Sequence, residues 1–146
     1  MLRATVLGLF LGAVVGCLVC MGAVAKFGPA RDDSVPAYVA TGVGCSMALM
    51  LAARYLLEVA RNLRATRPRF SSVLTGVAWV GYFAFWVRAV SFYSAHGAAT
   101  DHGAFEGLWL GLAEGVPGGA LLGAALGFTL SADMKPRVAK SAEELA

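Results

Sequence analysis

Two ionisable side chains, Arg88 and Glu114, stand inside long apolar runs. A guanidinium and a carboxylate can neutralise each other there, or the carboxylate can take up and release a proton while the guanidinium tunes it. Glu114 lies just ahead of Pro117-Gly118-Gly119. A proline at 117 cannot donate to the carbonyl of Ala113 and crowds it. A helix is therefore expected to kink or loosen just beyond Glu114, with Gly118 and Gly119 easing the bend. Loosened backbone within a membrane is tolerated where its freed carbonyl meets protein, water or a ligand. The stretch thus offers three chemistries: a structural ion pair beside a packing kink, a proton or ion path through Glu114, or a ligand or lipid-headgroup site.

The elements that would position these groups follow from composition. The chain has 146 residues, 58% hydrophobic and 14% charged, against about 25% charged in an average soluble domain. Its apolar residues fall into blocks at about 4–25, 35–57, 72–95 and 106–130. Crossing ~30 Å of hydrocarbon takes roughly 20 residues at ~1.5 Å rise, and backbone in lipid must satisfy itself as helix. The expected fold class is an all-α membrane protein with four transmembrane helices in a compact bundle. Residues 1–130 form one transmembrane domain and 131–146 a flexible tail. Counted from the block midpoints, Arg88 and Glu114 share a depth, so they are expected to pair inside the bundle between the third and fourth helices.

Orientation follows from lysine and arginine placement. Arg54, Arg61, Arg64, Arg67 and Arg69 crowd the second link, and Lys135, Arg137 and Lys140 the tail, whereas Lys26 and Arg31 in the first link are offset by Asp32 and Asp33. Both termini are expected on the cytoplasmic side of a cell membrane of the bacterial inner-membrane kind. The net charge of +3 then reports topology and contact with anionic lipid, with no nucleic-acid partner expected. A competing reading of the first block is a cleaved signal peptide, from Met1-Leu2-Arg3, the apolar run and Ala23-Val24-Ala25. Its run is longer than the usual ~7–15 residues, which favours a retained span.

Glycine recurs every fourth residue through the last block, at Gly107, Gly111, Gly115, Gly119, Gly123 and Gly127. The first block carries Gly8, Gly12 and Gly16, and the second Ala40, Gly44, Ala48 and Ala52. In lipid, helices associate where small residues let backbones approach, so these stripes mark tight contacts. Gly8-Leu-Phe-Leu-Gly12 and Gly107-Leu-Trp-Leu-Gly111 look like one packing solution used twice. The last stripe is longer than either of the others, which suggests a second copy or another membrane protein as its partner.

Cys17-Leu-Val-Cys20 in the first block is a C-x-x-C, with Cys45 in the second. It resembles the C-x-x-C of two families of four-helix membrane proteins, the oxidases that recharge periplasmic thiol oxidants and the vitamin K epoxide reductases. The resemblance implies thiol–quinone exchange at Cys17 and Cys20. Both families also need cysteines in external loops, and neither external link here has one. His96, Asp101, His102 and Glu106 gather in the second external link but match no familiar metal spacing. Asp101 and Glu106 are more simply helix-start acids. No phosphate-binding Gly-Lys motif is present, and no motif calls for a cofactor, a metal or a catalytic residue. The expected function is helix–helix assembly, as a homo-oligomer or an accessory subunit of a membrane complex. The alternatives are an oligomeric proton or ion conduit through Glu114 and the Pro117 bend, and a thiol–quinone oxidoreductase.

Overall fold

The computed structural model describes residues 2–28, 35–96 and 103–132. The chain is all-helical among them. Its elements are α1 (Leu2–Phe27), α2 (Val35–Leu63), α3 (Pro68–His96), α4 (Gly103–Leu110), a π-helical turn (Gly111–Gly115) and α5 (Val116–Ala132). Four helical segments are long and apolar enough to cross a membrane: Thr5–Phe27, Val35–Leu63, Pro68–Ala95 and Phe105–Ser131. The last is α4, the π turn and α5 taken as one rod. Of the tail expected at 131–146, Ser131 and Ala132 belong to α5, and residues 133–146, like Asp101 and His102, lie outside the described residues.

The arginine-rich link is shorter than the sequence suggests. Helix α2 runs on to Leu63 and α3 begins at Pro68. Proline is well placed at a helix start, where its missing N–H would have no partner anyway. Ala60 is buried, so the last turns of α2 are held by packing. The amide of Arg67 closes on the Leu63 carbonyl at 2.7 Å and that of Ser71 on Arg67 at 3.1 Å, so one tight turn joins the helices. At the other end of the molecule α1 stops at Gly28, whose φ of +83° only glycine adopts freely. The Tyr93 hydroxyl donates to the Gly28 carbonyl and ties that stop to α3.

Two antiparallel pairs make up the fold. In the first, Gly8, Gly12 and Gly16 of α1 lie against Arg54, Met47 and Val43 of α2. In the second, the glycines of the last span lie against α3. Gly107 meets the carbonyl of Ala89, Gly111 Phe85, Gly115 Ala84, Gly119 Val80, Gly123 Gly76 and Gly127 Ser72. Gly76 and Gly123 face each other backbone to backbone. The stripe expected to reach for another protein therefore finds its partner within the chain. The two Gly-Leu-x-Leu-Gly segments do the same job in their respective pairs.

Helices α2 and α3 join the pairs through polar and aromatic contacts. Ser46 and the Tyr82 hydroxyl form a buried hydrogen bond of 2.8 Å. Tyr38 stacks on Tyr93 with centroids 5.4 Å apart. Beside them Cys20, Phe85, Trp86, Ala89 and Leu108 complete one buried cluster. Tyr82 and Trp86 thus face inward, while Trp79 and Phe83 on the same helix are exposed. Tyr93 is also buried. Large apolar side chains stand open on the exterior, among them Phe10, Leu18, Val87, Trp109, Leu121 and Leu130.

The glycine contacts give a sharp contrast between neighbouring positions. A Cβ at 123 would collide with the Gly76 backbone, whereas one at 118 meets nothing within 4 Å. Gly123→Ala is expected to destabilise the protein by about 1–3 kcal/mol. Gly118→Ala is expected to be neutral or stabilising by up to about 1 kcal/mol, through the helix preference of alanine. Reversible unfolding in detergent or bicelles measures both.

Candidate functional site

The candidate site is built by α3 and the π turn. Arg88 Nε donates to Glu114 Oε2 at 2.8 Å, and a second guanidinium nitrogen lies 2.8 Å from the same oxygen. The two residues matched by depth in the sequence are therefore brought together. Arg88 sits seven residues from the end of its span at Ala95 and Glu114 nine from Phe105, so both lie ~10 Å or more along the helix from those ends. A guanidinium at mid-membrane costs roughly 2.5–3.5 kcal/mol on insertion scales, and a carboxylate partner offsets part of that.

The pair is not enclosed between the helices, as the sequence reading expected. The Arg88 and Glu114 side chains keep 39% and 54% of their surface exposed. The reason is the glycine contact. Gly115 and Gly111 occupy the face of the last span that meets α3, with Gly115 against the carbonyl of Ala84 and the Cβ of Arg88. Helices this close leave no room between them for a guanidinium and a carboxylate. Both side chains bend around the contact and meet on its outer edge.

The helix is widened at Gly111–Gly115, ahead of Pro117, rather than beyond Glu114 where the sequence reading expected it, and it does not break. Leu110 and Val116, on either side of the π turn, both keep right-handed helical angles. The Val116 amide reaches back to the carbonyl of Gly111, five residues away. A wide turn moves the Ala113 carbonyl away from the proline ring and removes the need for the missing donor. Glu114 is part of this turn. Gly118 and Gly119, expected to ease a bend, have different surroundings. Gly119 packs on Ala84 and Val80, and Gly118 faces open space.

The remaining candidates are scattered. Cys17 is exposed and Cys20 is fully buried. Cys20 lies against Gly42 and shares the buried cluster with Tyr38. Cys45 is half-buried on α2. Glu106 is in the first turn of α4, as the sequence reading had it. Sequence reasoning missed the Ser46–Tyr82 bond and the Tyr38–Tyr93 stack. Polar residues recurring inside apolar helices were the available signal. It also missed a cavity beside Arg54, Glu58 and Arg61, which stand four and three residues apart on α2.

No protein-family model, curated protein or solved structure matches this chain. The functional reading accordingly rests on the geometry.

The ion pair has a testable signature. Glu114→Gln leaves Arg88 unneutralised, while Arg88→Gln with Glu114→Gln removes both charges. The double variant is expected to be more stable than Glu114→Gln alone. The coupling energy in a double-mutant cycle of unfolding should be about 1 kcal/mol or more, near the upper part of the range for polar contacts within membranes.

Proposed function

We propose that this chain is a multi-pass subunit of a cell membrane, of the bacterial inner-membrane kind, and that it works by assembling with copies of itself or with another membrane protein. The observation that carries this reading is the outward position of the Arg88–Glu114 pair. A salt bridge open to hydrocarbon is unfavourable, and intramembrane charges normally face protein or a water-filled cavity. A neighbouring subunit supplies that cover. Leu121, two turns along from Glu114, and Gly118 between them extend the same open strip.

A second surface supports the reading. Ala40, Gly44, Ala48 and Ala52 of α2 are all exposed, and a Cβ at Gly44 meets nothing within 4 Å. Small residues in this spacing let another helix approach closely. The long glycine stripe of the last span, in contrast, is a glycine zipper internal to the protomer, and the compactness of the four-helix bundle rests on it. Arginine and lysine placement supports a cytoplasmic position for both termini.

The test is disulfide and bismaleimide crosslinking in native membranes, with Cys17, Cys20 and Cys45 replaced. Cysteine at Leu121 or Ala48 is expected to give dimers or higher species. Cysteine at Leu18, exposed on α1 and part of neither strip, is expected to give none. Monomer at all three positions would contradict assembly through these surfaces.

A second reading, a proton or ion conduit, is favoured by one detail. The Glu114 carboxylate is open on one side and sits on a widened helical turn. Widened turns recur at functional sites in helices. Proteoliposome flux separates the two readings. A conduit loses proton flux on Glu114→Gln while its crosslinks at Leu121 survive; a structural subunit shows no flux before or after the substitution.

A further inference from the structure

A cavity of about 670 Å³ opens between α1, α2 and α3, remote from the Arg88–Glu114 pair. Small-molecule sites occupy roughly 300–1,000 Å³. Leu11, Met50 and Trp79 form part of its apolar wall, and Arg54, Glu58 and Arg61 stand along one side. The two arginines are seven residues apart on α2, so they project from one face of the helix two turns apart. Arg54 is nine residues inside the end of α2 at Leu63, ~13 Å along the helix. It is held there by α1. Its stem lies in the notch left by Gly8, where a Cβ would come within 2.6 Å of the Arg54 Cδ. Among the described residues no ion pair ties either arginine to Glu58 or to another acid.

The site therefore combines two guanidiniums, a single acid and an apolar wall. Guanidinium forks match phosphate oxygens, and basic pockets between membrane helices take anionic headgroups. An inorganic anion would leave the apolar wall unused, and a neutral lipid would leave the arginines unneutralised. We propose that this cavity binds one anionic phospholipid, its phosphate held by Arg54 and Arg61 and an acyl chain laid along Leu11, Met50 and Trp79. The bound lipid supplies the second negative charge that Arg54 and Arg61 need beside Glu58 and packs α1 against α3 through its own tail. The proposal is independent of whether the Arg88–Glu114 face is an interface.

The test uses the full chain, delipidated in detergent and examined by native mass spectrometry with phosphatidylglycerol or phosphatidylcholine added. One phosphatidylglycerol is expected to bind at least about tenfold more tightly than phosphatidylcholine, the effect of one or two charge-assisted contacts. Arg54→Gln with Arg61→Gln should bring both lipids to the same weak level, while Arg64→Gln with Arg67→Gln, in the adjoining turn, should leave the preference intact. Gly8→Ala keeps every charge but displaces the Arg54 stem. It should weaken phosphatidylglycerol binding severalfold, and it supplies the readout if the double arginine variant fails to fold. Equal binding of the two lipids would overturn the proposal, as would an unchanged preference in both the Arg54/Arg61 and Gly8 variants. Complete displacement of the lipid by inorganic phosphate would overturn it too, by showing that the site holds an ion without regard to the chain.

Discussion

The close approach of the last span to α3 governs the rest of the structure. Six glycines, from Gly107 to Gly127, lie against backbone or side-chain atoms of α3, and at Gly76 and Gly123 nothing but main chain separates the helices. Facing carbonyls at Ser72, Gly76, Val80 and Ala84 recur every four residues, the pattern of weak Cα–H···O contacts between helices. In hydrocarbon such contact replaces the hydrophobic drive that holds soluble helices together. Larger side chains could not make it, and a polar pair could not fit within it. The outward position of Arg88 and Glu114 follows from that exclusion.

The π turn belongs to the same constraint. Four residues of α-helix advance roughly 400°, about 40° past a full turn, so five steps of a four-residue stripe drift by about 200°. A straight helix would carry Gly107 round to the far side from Gly127. In the wide turn each residue advances by less, so the step from Gly111 to Gly115 falls back where the others run ahead. The partners on α3 register the shift: Ser72, Gly76, Val80 and Ala84 up to Gly115, then Phe85 and Ala89 for Gly111 and Gly107. Pro117 favours the wide turn by withholding one donor. The feature that resets the glycine stripe also carries the acid, so packing and any chemistry at Glu114 are coupled.

Much of this was legible in the sequence. Four apolar blocks sufficed for four helices of spanning length, because backbone in lipid has so few alternatives. Arg88 and Glu114 could be matched because residue count along a helix converts directly into depth. The direction of their side chains could not be read, since it depends on how closely the glycines let α5 approach. Nor could the stripe's partner. Spacing of four marks a contact but carries no label for the other side, and Gly76, Gly81 and Ala84 are too sparse on α3 to stand out as its match. The continuation of α2 to Leu63 was hidden by its arginines, which read as a link because charge outweighs pattern when spans are sought by hydropathy. The exposed Ala40–Ala52 strip was visible as small residues, but its openness is a property of the packed fold.

The central claim is that the glycine stripe closes the protomer upon itself and turns the charged pair outward. Solid-state NMR of glycine-labelled protein in bilayers tests it most directly, through the dipolar contact between the α-carbons of Gly76 and Gly123. The labelled chain is then diluted into an excess of unlabelled chain. A contact within one protomer keeps its intensity per labelled molecule on dilution, which is the result expected here. A contact that fades as labelled neighbours become rare would show that the stripe joins separate copies, and the placement of Arg88 and Glu114 on an outer face would fall with it.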